Sequence, residues 1–122
     1  MPKAEREFFP VSDAGWTPAL GGIVPGLHER ILAPDTDHPG VATRTLRFDP
    51  GCNTAKAGVQ VHDFWEEVYI LEGSLHDLTL NETFPAGTYA CRPPGMPHGP
   101  WKAPEGCLTF EVRYVTADAP ST

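Results

Sequence analysis

Proline and glycine interrupt this chain so often that long helices are excluded. Fourteen prolines and twelve glycines are spread over 122 residues. Between them, no segment keeps apolar residues at the i, i+3, i+4, i+7 spacing of a helix over the roughly eleven residues that a helix requires. Short segments bounded by turn residues fit β-strands instead. The sequence therefore predicts an all-β fold, either a sandwich or a barrel.

Eight segments have the composition of strands, and clusters such as Asp49-Pro50-Gly51, Glu72-Gly73 and Pro93-Pro94-Gly95 separate them as turns. The predicted strands are 27–33, 41–48, 58–62, 66–71, 75–80, 87–92, 98–101 and 107–115. We expect a single domain that comprises an extended N-terminal arm over 1–25, a barrel over 26–118 and a tail over 119–122. The arm carries aromatic residues that would be exposed unless they cover an apolar surface. That surface is expected to belong to a second subunit, so we expect a homodimer.

Charge and hydropathy exclude several classes of partner. The net charge is −7, and the nine Lys and Arg residues are not clustered, which argues against nucleic acid and anionic lipid. No apolar run approaches the roughly 20 residues of a membrane span, and the first residues lack the apolar core of a signal peptide. We therefore expect a cytoplasmic protein that acts on a small molecule.

Two segments carry residues suited to bind a metal. Gln60, His62 and Glu66 share strand parity, so on an extended strand their side chains leave the same face. His98 follows a Pro/Gly-rich turn that can bring it against this strand from another segment. Glu66 and Glu67 then face opposite ways, and a buried Glu66 must act as a metal ligand or as a base with a raised pKa.

Their spacing resembles the paired motifs of the cupin superfamily. In the first motif, His62, Glu66 and Gly73 match the second histidine, the glutamate and the closing glycine, whereas Gln60 stands in place of the first histidine. The second motif consists of a glycine, five residues, a proline, any residue, a glycine, two residues and a histidine. This sequence matches all four of its defining positions. These positions are Gly87, Pro93, Gly95 and His98. Lys102 replaces the asparagine that usually ends the motif.

The resemblance implies a double-stranded β-helix, or jelly-roll, barrel of two antiparallel sheets. It also implies one divalent metal per chain, Fe, Mn, Ni, Co or Zn, held by Gln60, His62, Glu66 and His98. An amide is a weaker ligand than imidazole, so the identity of the first ligand stays open: Gln60 either binds the metal or hydrogen-bonds to Glu66.

Residues outside the motifs have simpler interpretations. We expect His28, His38 and His76 to be ordinary hydrogen-bonded side chains, and the three cysteines to be buried small hydrophobes without disulfides. The last strand places Glu111 and Arg113 on one face. The simpler interpretation puts that face outward, and the alternative is a cross-strand ion pair near the pocket. Phe64, Trp65 and Trp101 either line the mouth of the site or pack against neighbours.

Three classes of function follow from these expectations. The first is a metal-dependent enzyme, in which a dicarbonyl, enol or phenol bound to the metal loses a proton to Glu66 or to hydroxide and is cleaved by dioxygenase chemistry. Isomerase, cyclase or lyase activity is the non-oxidative variant. The second is a Zn-bearing sensor or binding module, because segment 86–107 also resembles the cupin domain of chromate-resistance-regulator anti-sigma factors. The third, a metal-free binding jelly roll, would leave a buried Glu66 unexplained.

Overall fold

The computed structural model describes residues 3–116, and within this range it contains nine strands and no α-helix. The prediction of an all-β chain is confirmed. The strands are β1 (Thr17–Pro18), β2 (Leu27–Pro34), β3 (Ala42–Phe48), β4 (Cys52–Asn53), β5 (Trp65–Asp77), β6 (Glu82–Pro85), β7 (Tyr89–Arg92), β8 (Trp101–Ala103) and β9 (Cys107–Tyr114). Three 3-10 turns accompany them, Val11–Asp13, Leu20–Gly22 and Ala55–Ala57. None of these short turns has the length or the apolar character needed to cross a bilayer.

Strand β5 joins two antiparallel sheets. Its first half pairs with β9 and β7, in the sheet ordered β1-β2-β3-β9-β5-β7. Its second half lies between β6 and β8, and β8 in turn pairs with β4. This curled arrangement is the predicted jelly-roll barrel of two antiparallel sheets.

The bend in β5 occurs at Gly73. The pairing with β9 shifts by one residue between Ile70 and Glu72, and Gly73 follows with φ of 74°. A Cβ atom at Gly73 would lie 2.1 Å from the carbonyl oxygen of Gly106, so only glycine fits there. The predicted turn at Glu72-Gly73, which divided this region into two strands, is therefore wrong: the chain continues through a bulge as a single strand.

Inward-facing side chains divide the barrel into an apolar end and a polar end. Along β3, Leu46 and Phe48 are buried with the apolar cluster, whereas Arg44 is buried one pleat further on. The same change occurs along β9, from Cys107 to Glu111. The apolar cluster comprises Ala19, Val24, Leu27, Leu46, Phe48, Cys52, Ile70, Leu75, Ala103 and Cys107. The polar end carries the candidate site.

Two other differences from the predicted strands affect the site and the arm. Segment 58–62 is not a strand, and its only ladder contact within the described residues is a bridge between Gln60 and His98. Ala19 and Val24, from the predicted arm, already pack into the core. The domain boundaries and the homodimer stay predictions, and the predicted tail at 119–122 lies outside the described residues.

Candidate metal centre

The two motifs are joined by backbone hydrogen bonds. Gln60 and His98 exchange two bonds, with N···O distances of 2.8 Å and 2.9 Å. The amide of Gly95 donates to the carbonyl oxygen of His62 at 2.8 Å. These three bonds hold the Pro/Gly-rich turn of the second motif against the loop that precedes β5.

This arrangement brings together His62, Glu66 and His98. One ligand atom from each lies within 4.8 Å of the others, as a group able to hold a metal ion. Glu66 is contributed by β5, His62 by the loop before it and His98 by the bridge. The prediction that the two histidines and Glu66 converge agrees with this geometry, although the predicted continuous strand from 58 to 62 is absent.

The imidazole of His98 is oriented as a metal ligand requires. Nδ1 of His98 lies 3.0 Å from the carbonyl oxygen of Met96. A carbonyl can only accept, so Nδ1 carries the proton and donates it, and Nε2 presents a lone pair. That Nε2 lies 3.5 Å from Oε1 of Glu66. Two acceptors that face each other at this distance repel unless a cation lies near them, and the Arg92 guanidinium already lies beside Oε1.

His62 supplies the strongest sign of a ligand. Its Nε2 is buried and has no hydrogen-bond partner within the described residues. Buried polar atoms are nearly always paired, so an unpaired one requires an explanation. Burial lowers the pKa of His62 to about 4, which keeps the imidazole neutral and its lone pair available at neutral pH. Two neutral imidazoles and a carboxylate form a donor set that suits a divalent ion.

Glu66 is compensated by two arginines from its neighbouring strands. Register places Glu66 opposite Arg92 of β7 and opposite Arg113 of β9. Arg92 Nη1 donates to Oε1 at 2.9 Å, and Arg113 Nε donates to Oε2 at 2.6 Å. Burial alone would raise the pKa of Glu66, but the charges of Arg113 and Arg92 outweigh it and lower the pKa to about 2.

These arginines change two earlier inferences. A carboxyl group with a pKa of about 2 is a poor proton acceptor, so the expected base with a raised pKa does not fit Glu66. The burial of Glu66 can also be explained in a metal-free barrel, because Arg92 and Arg113 already neutralise its charge. The case for a metal therefore rests on the histidines more than on the buried acid.

The outward orientation expected for Glu111 and Arg113 is wrong, and the alternative of a cross-strand ion pair is the observed one. Glu111 is buried, and its Oε1 accepts from Nε and Nη2 of Arg44 at 3.0 Å and 2.9 Å. Arg44 also donates to Glu29 at 2.8 Å. Both strands turn these charges inward because their partners lie in register across the sheet.

The side-chain amide of Gln60 turns toward its own loop. Its Nε2 donates to the carbonyl oxygen of Ala57 at 3.1 Å. Gln60 nevertheless lines the same small cavity as the two histidines and Glu66. Metal binding by Gln60 stays a prediction.

Two cavities adjoin at this end of the barrel. The smaller, about 50 Å³, is lined by the candidate ligands and by Arg44, Arg92 and Arg113. The larger, about 380 Å³, shares Arg92, His98 and Trp101 with it and has mainly apolar walls. Trp101 lies beside His98 with ring centroids 5.5 Å apart. Of the two interpretations offered for Trp101, the one that places it in the lining of the site agrees with this position.

The other two flanking aromatics pack against neighbours. Phe64 is buried and stacks on His62, with ring centroids 4.5 Å apart. Trp65 stacks on Tyr114, with centroids 6.3 Å apart. Phe64 therefore fixes the orientation of His62, and Trp65 takes no part in the site.

The remaining histidines and the cysteines lie outside the site. His28 pairs with Asp49 at 3.0 Å and His76 with Thr83 at 2.8 Å, while His38 lies 3.8 Å from an aspartate. His28 and His76 are hydrogen-bonded as predicted, and His38 is a half-exposed side chain away from the site. The cysteines are free; Cys52 and Cys107 are buried, but Cys91 is exposed, so the prediction for Cys91 is wrong.

Sequence reasoning missed Arg92 and Arg113 as partners of Glu66. Arg92 occupies the second motif three positions after Tyr89, and Arg113 lies two residues from an acidic residue on the same strand face. The sequence did offer one signal, because a buried carboxylate such as Glu66 needs a cation beside it. Choosing between the faces of β9 required its register with β5, which the sequence does not show.

Comparisons with known proteins agree with the fold. The sequence profile of the ChrR cupin-like domain matches residues 4–115. An RmlC-like cupin from Shewanella frigidimarina NCIMB 400 superposes with a TM-score of 0.70 and 20% identity over 97% of both chains. A putative acetylacetone dioxygenase from Methylibium petroleiphilum PM1 has a TM-score of 0.70 and 17% identity, over 97% of this chain and 84% of that one.

A third similar structure is the polyketide cyclase RemF from Streptomyces resistomycificus. Its TM-score is 0.67 with 18% identity, over 93% of this chain and 89% of that one. No protein of curated function matches the sequence. At these identities the structural likeness establishes the fold, and the profile match over most of the chain establishes the family. The chain belongs to the ChrR cupin-like family of the cupin superfamily.

Proposed function

We propose that this chain is a metal-dependent cupin enzyme with dioxygenase-type activity. It holds one divalent metal through His62, Glu66 and His98, with Gln60 as a fourth and weaker ligand. Its substrate is a small dicarbonyl, enol or phenol. The observation that carries the proposal is the buried, unpaired Nε2 of His62 beside the lone pair of His98 and the Glu66 carboxylate.

When bound, the metal supplies Lewis acidity and, if it is redox active, the chemistry needed to use O2. The residues of the chain supply the rest. Arg92 and Arg113 keep Glu66 ionised, so that it offers a charged oxygen as a ligand. Met96 holds the proton of His98 on Nδ1 and leaves Nε2 free.

The larger cavity suits a small organic substrate. Its volume of about 380 Å³ lies within the range of small-molecule sites, and Val68, Ile70, Leu75 and Phe84 contribute apolar walls. It meets the candidate ligands at His98. A substrate in this cavity would have its reacting end beside the metal ligands.

A non-oxidative cupin is the second candidate. The overall likeness to a polyketide cyclase is as extensive as the likeness to the putative acetylacetone dioxygenase. A redox-inactive metal at the same ligands would favour cyclase, isomerase or lyase chemistry, or the Zn-bearing binding module. Metal identity therefore separates the candidates.

The test combines metal analysis with oxygen consumption. The purified protein is loaded in turn with Fe, Mn, Ni, Co or Zn, and oxygen uptake is followed with acetylacetone and with catechol. The proposal expects uptake with a redox-active metal and at least one of these compounds, and loss of uptake in His98→Ala. His76→Ala, which removes a histidine outside the site, is the matched control and retains activity. Binding of Zn with no oxygen uptake under any loading would favour the non-oxidative candidates.

A further inference from the structure

Arg92 lies where the two cavities meet. It lines both the small cavity of candidate ligands and the larger apolar cavity. Its guanidinium lies over the ring of Trp101, 5.2 Å from the centroid, and its side chain is 14% exposed. Arg92 therefore contacts both the candidate metal ligands and any molecule in the larger cavity.

Most of the hydrogen-bonding capacity of Arg92 is unused. A guanidinium has five N–H groups. Within the described residues, the one hydrogen bond of Arg92 joins Nη1 to Oε1 of Glu66. Nε and Nη2 have no partner there. Glu66 is shared with Arg113, so a single carboxylate serves two cations and the charge of Arg92 is only partly neutralised.

Four other polar side chains in the wall of the larger cavity already have hydrogen-bond partners. Asp77 Oδ1 accepts from two backbone amides at 2.9 Å. Thr79 and Thr88 donate to backbone carbonyls. The hydroxyl of Tyr89 donates to a carboxylate on the outer face of the sheet. Arg92 therefore supplies the cationic donors of this wall, the indole N–H of Trp101 is a neutral donor, and the remaining lining apart from the buried Asp77 is largely apolar.

We propose that the larger cavity binds a small organic anion with an apolar body, whose carboxylate accepts hydrogen bonds from Nε and Nη2 of Arg92. A guanidinium presents donors in a planar fork that fits the two oxygens of a carboxylate. The apolar walls take the body of the molecule. This inference rests on the proposed function, which assigns the larger cavity to the substrate. It adds that the substrate carries a negative charge.

The test compares benzoate with benzamide, which has nearly the same shape and no charge. Binding is measured by titration calorimetry on the full chain after treatment with EDTA, so neither metal nor turnover is needed. The wild type is expected to bind benzoate about tenfold or more tightly than benzamide, the scale of a charged hydrogen bond. Arg92→Gln removes this preference. The control Arg47→Gln removes an equal charge from an exposed side chain outside the cavity, and the preference for benzoate is expected to remain.

A second variant makes the opposite change. Glu66→Gln removes the carboxylate that competes for Arg92, so benzoate should bind more tightly while benzamide changes little. Equal binding of the two probes by the wild type, or an unchanged preference in Arg92→Gln, overturns the inference. Weaker benzoate binding in Glu66→Gln overturns it as well.

The failure of this inference is distinguishable from that of the proposed function. A preference for benzoate that depends on Arg92 supports anion binding even if no metal loading produces oxygen uptake. Oxygen uptake together with equal binding of benzoate and benzamide supports the enzyme and overturns the anion site.

Discussion

Glu66 and Arg113 face each other across β5 and β9, with Arg113 Nε 2.6 Å from Oε2 of the carboxylate. Arg92 holds the other oxygen from β7. The candidate metal ligand is therefore a carboxylate whose charge and orientation are set by two strands of the same sheet. We expect the loss of either arginine to change both the stability of the barrel and the metal site.

Arg113→Met should destabilise the protein strongly. The substitution leaves the buried Glu66 with one cation instead of two, and breaking a buried ion pair costs about 3 kcal/mol or more. Urea unfolding measures the loss. Arg47→Met, which removes a pair between exposed side chains, is the control and should change the free energy of unfolding by less than about 1 kcal/mol. Similar effects for the two variants would contradict the role assigned to Arg113.

The stability of the metal-free protein should fall in acid because of Glu66. Its pKa is lowered from 4.5 to about 2, so the folded state favours the charged form. The resulting stabilisation is complete above pH 4.5 and is lost as the pH falls through about 2, since the unfolded chain takes up the proton first.

Urea unfolding of the wild type and Glu66→Gln, followed from pH 6 to pH 2, tests this expectation. The variant lacks the titrating group, so its stability should decline less over this range. Parallel declines for the two proteins would mean that Glu66 is not held in its charged form.

Gly73→Ala should prevent folding or destabilise the barrel severely. The new Cβ would lie 2.1 Å from the carbonyl oxygen of Gly106, at a positive φ that alanine rarely adopts. Gly87→Ala is the matched control: its φ is 88°, also positive, but no atom lies within 4 Å of the new Cβ. We expect the control to cost about 1 kcal/mol in thermal or urea unfolding. Equal costs at the two positions would show that the close approach at Gly73 is unimportant.

Gln60→His should raise the affinity for a divalent metal. Imidazole is a better ligand than an amide for a borderline metal, and position 60 is joined by backbone bonds to His98. Competition with a chelator of known affinity measures the change, which we expect to be about tenfold or more. An unchanged or lower affinity would place position 60 outside the ligand set.

Motif spacing predicted the centre of the site because its glycines shape two segments: a bulge in β5, which carries Glu66, and the turn that precedes His98. Gly73 permits the bend of β5, and the turn around Gly95 bonds directly to His62. The arginines could not be predicted in the same way. Whether Arg113 faces inward depends on the register of β9 against β5, and alternation alone offers two faces. The prediction of a strand over 58–62 is wrong because, among the described residues, this segment forms a single bridge, between Gln60 and His98, rather than a ladder of hydrogen bonds.

Metal binding by the purified wild type and by His98→Ala tests the central inference most directly. Equilibrium dialysis against Fe, Mn, Ni, Co or Zn, with metal analysis, should show one ion per wild-type chain. His98→Ala should bind at least about 100-fold more weakly, because it loses one of the two imidazole ligands, whereas His76→Ala should bind like the wild type. A folded wild-type protein that takes up none of these ions, or a His98→Ala variant that retains its ion, would contradict the account.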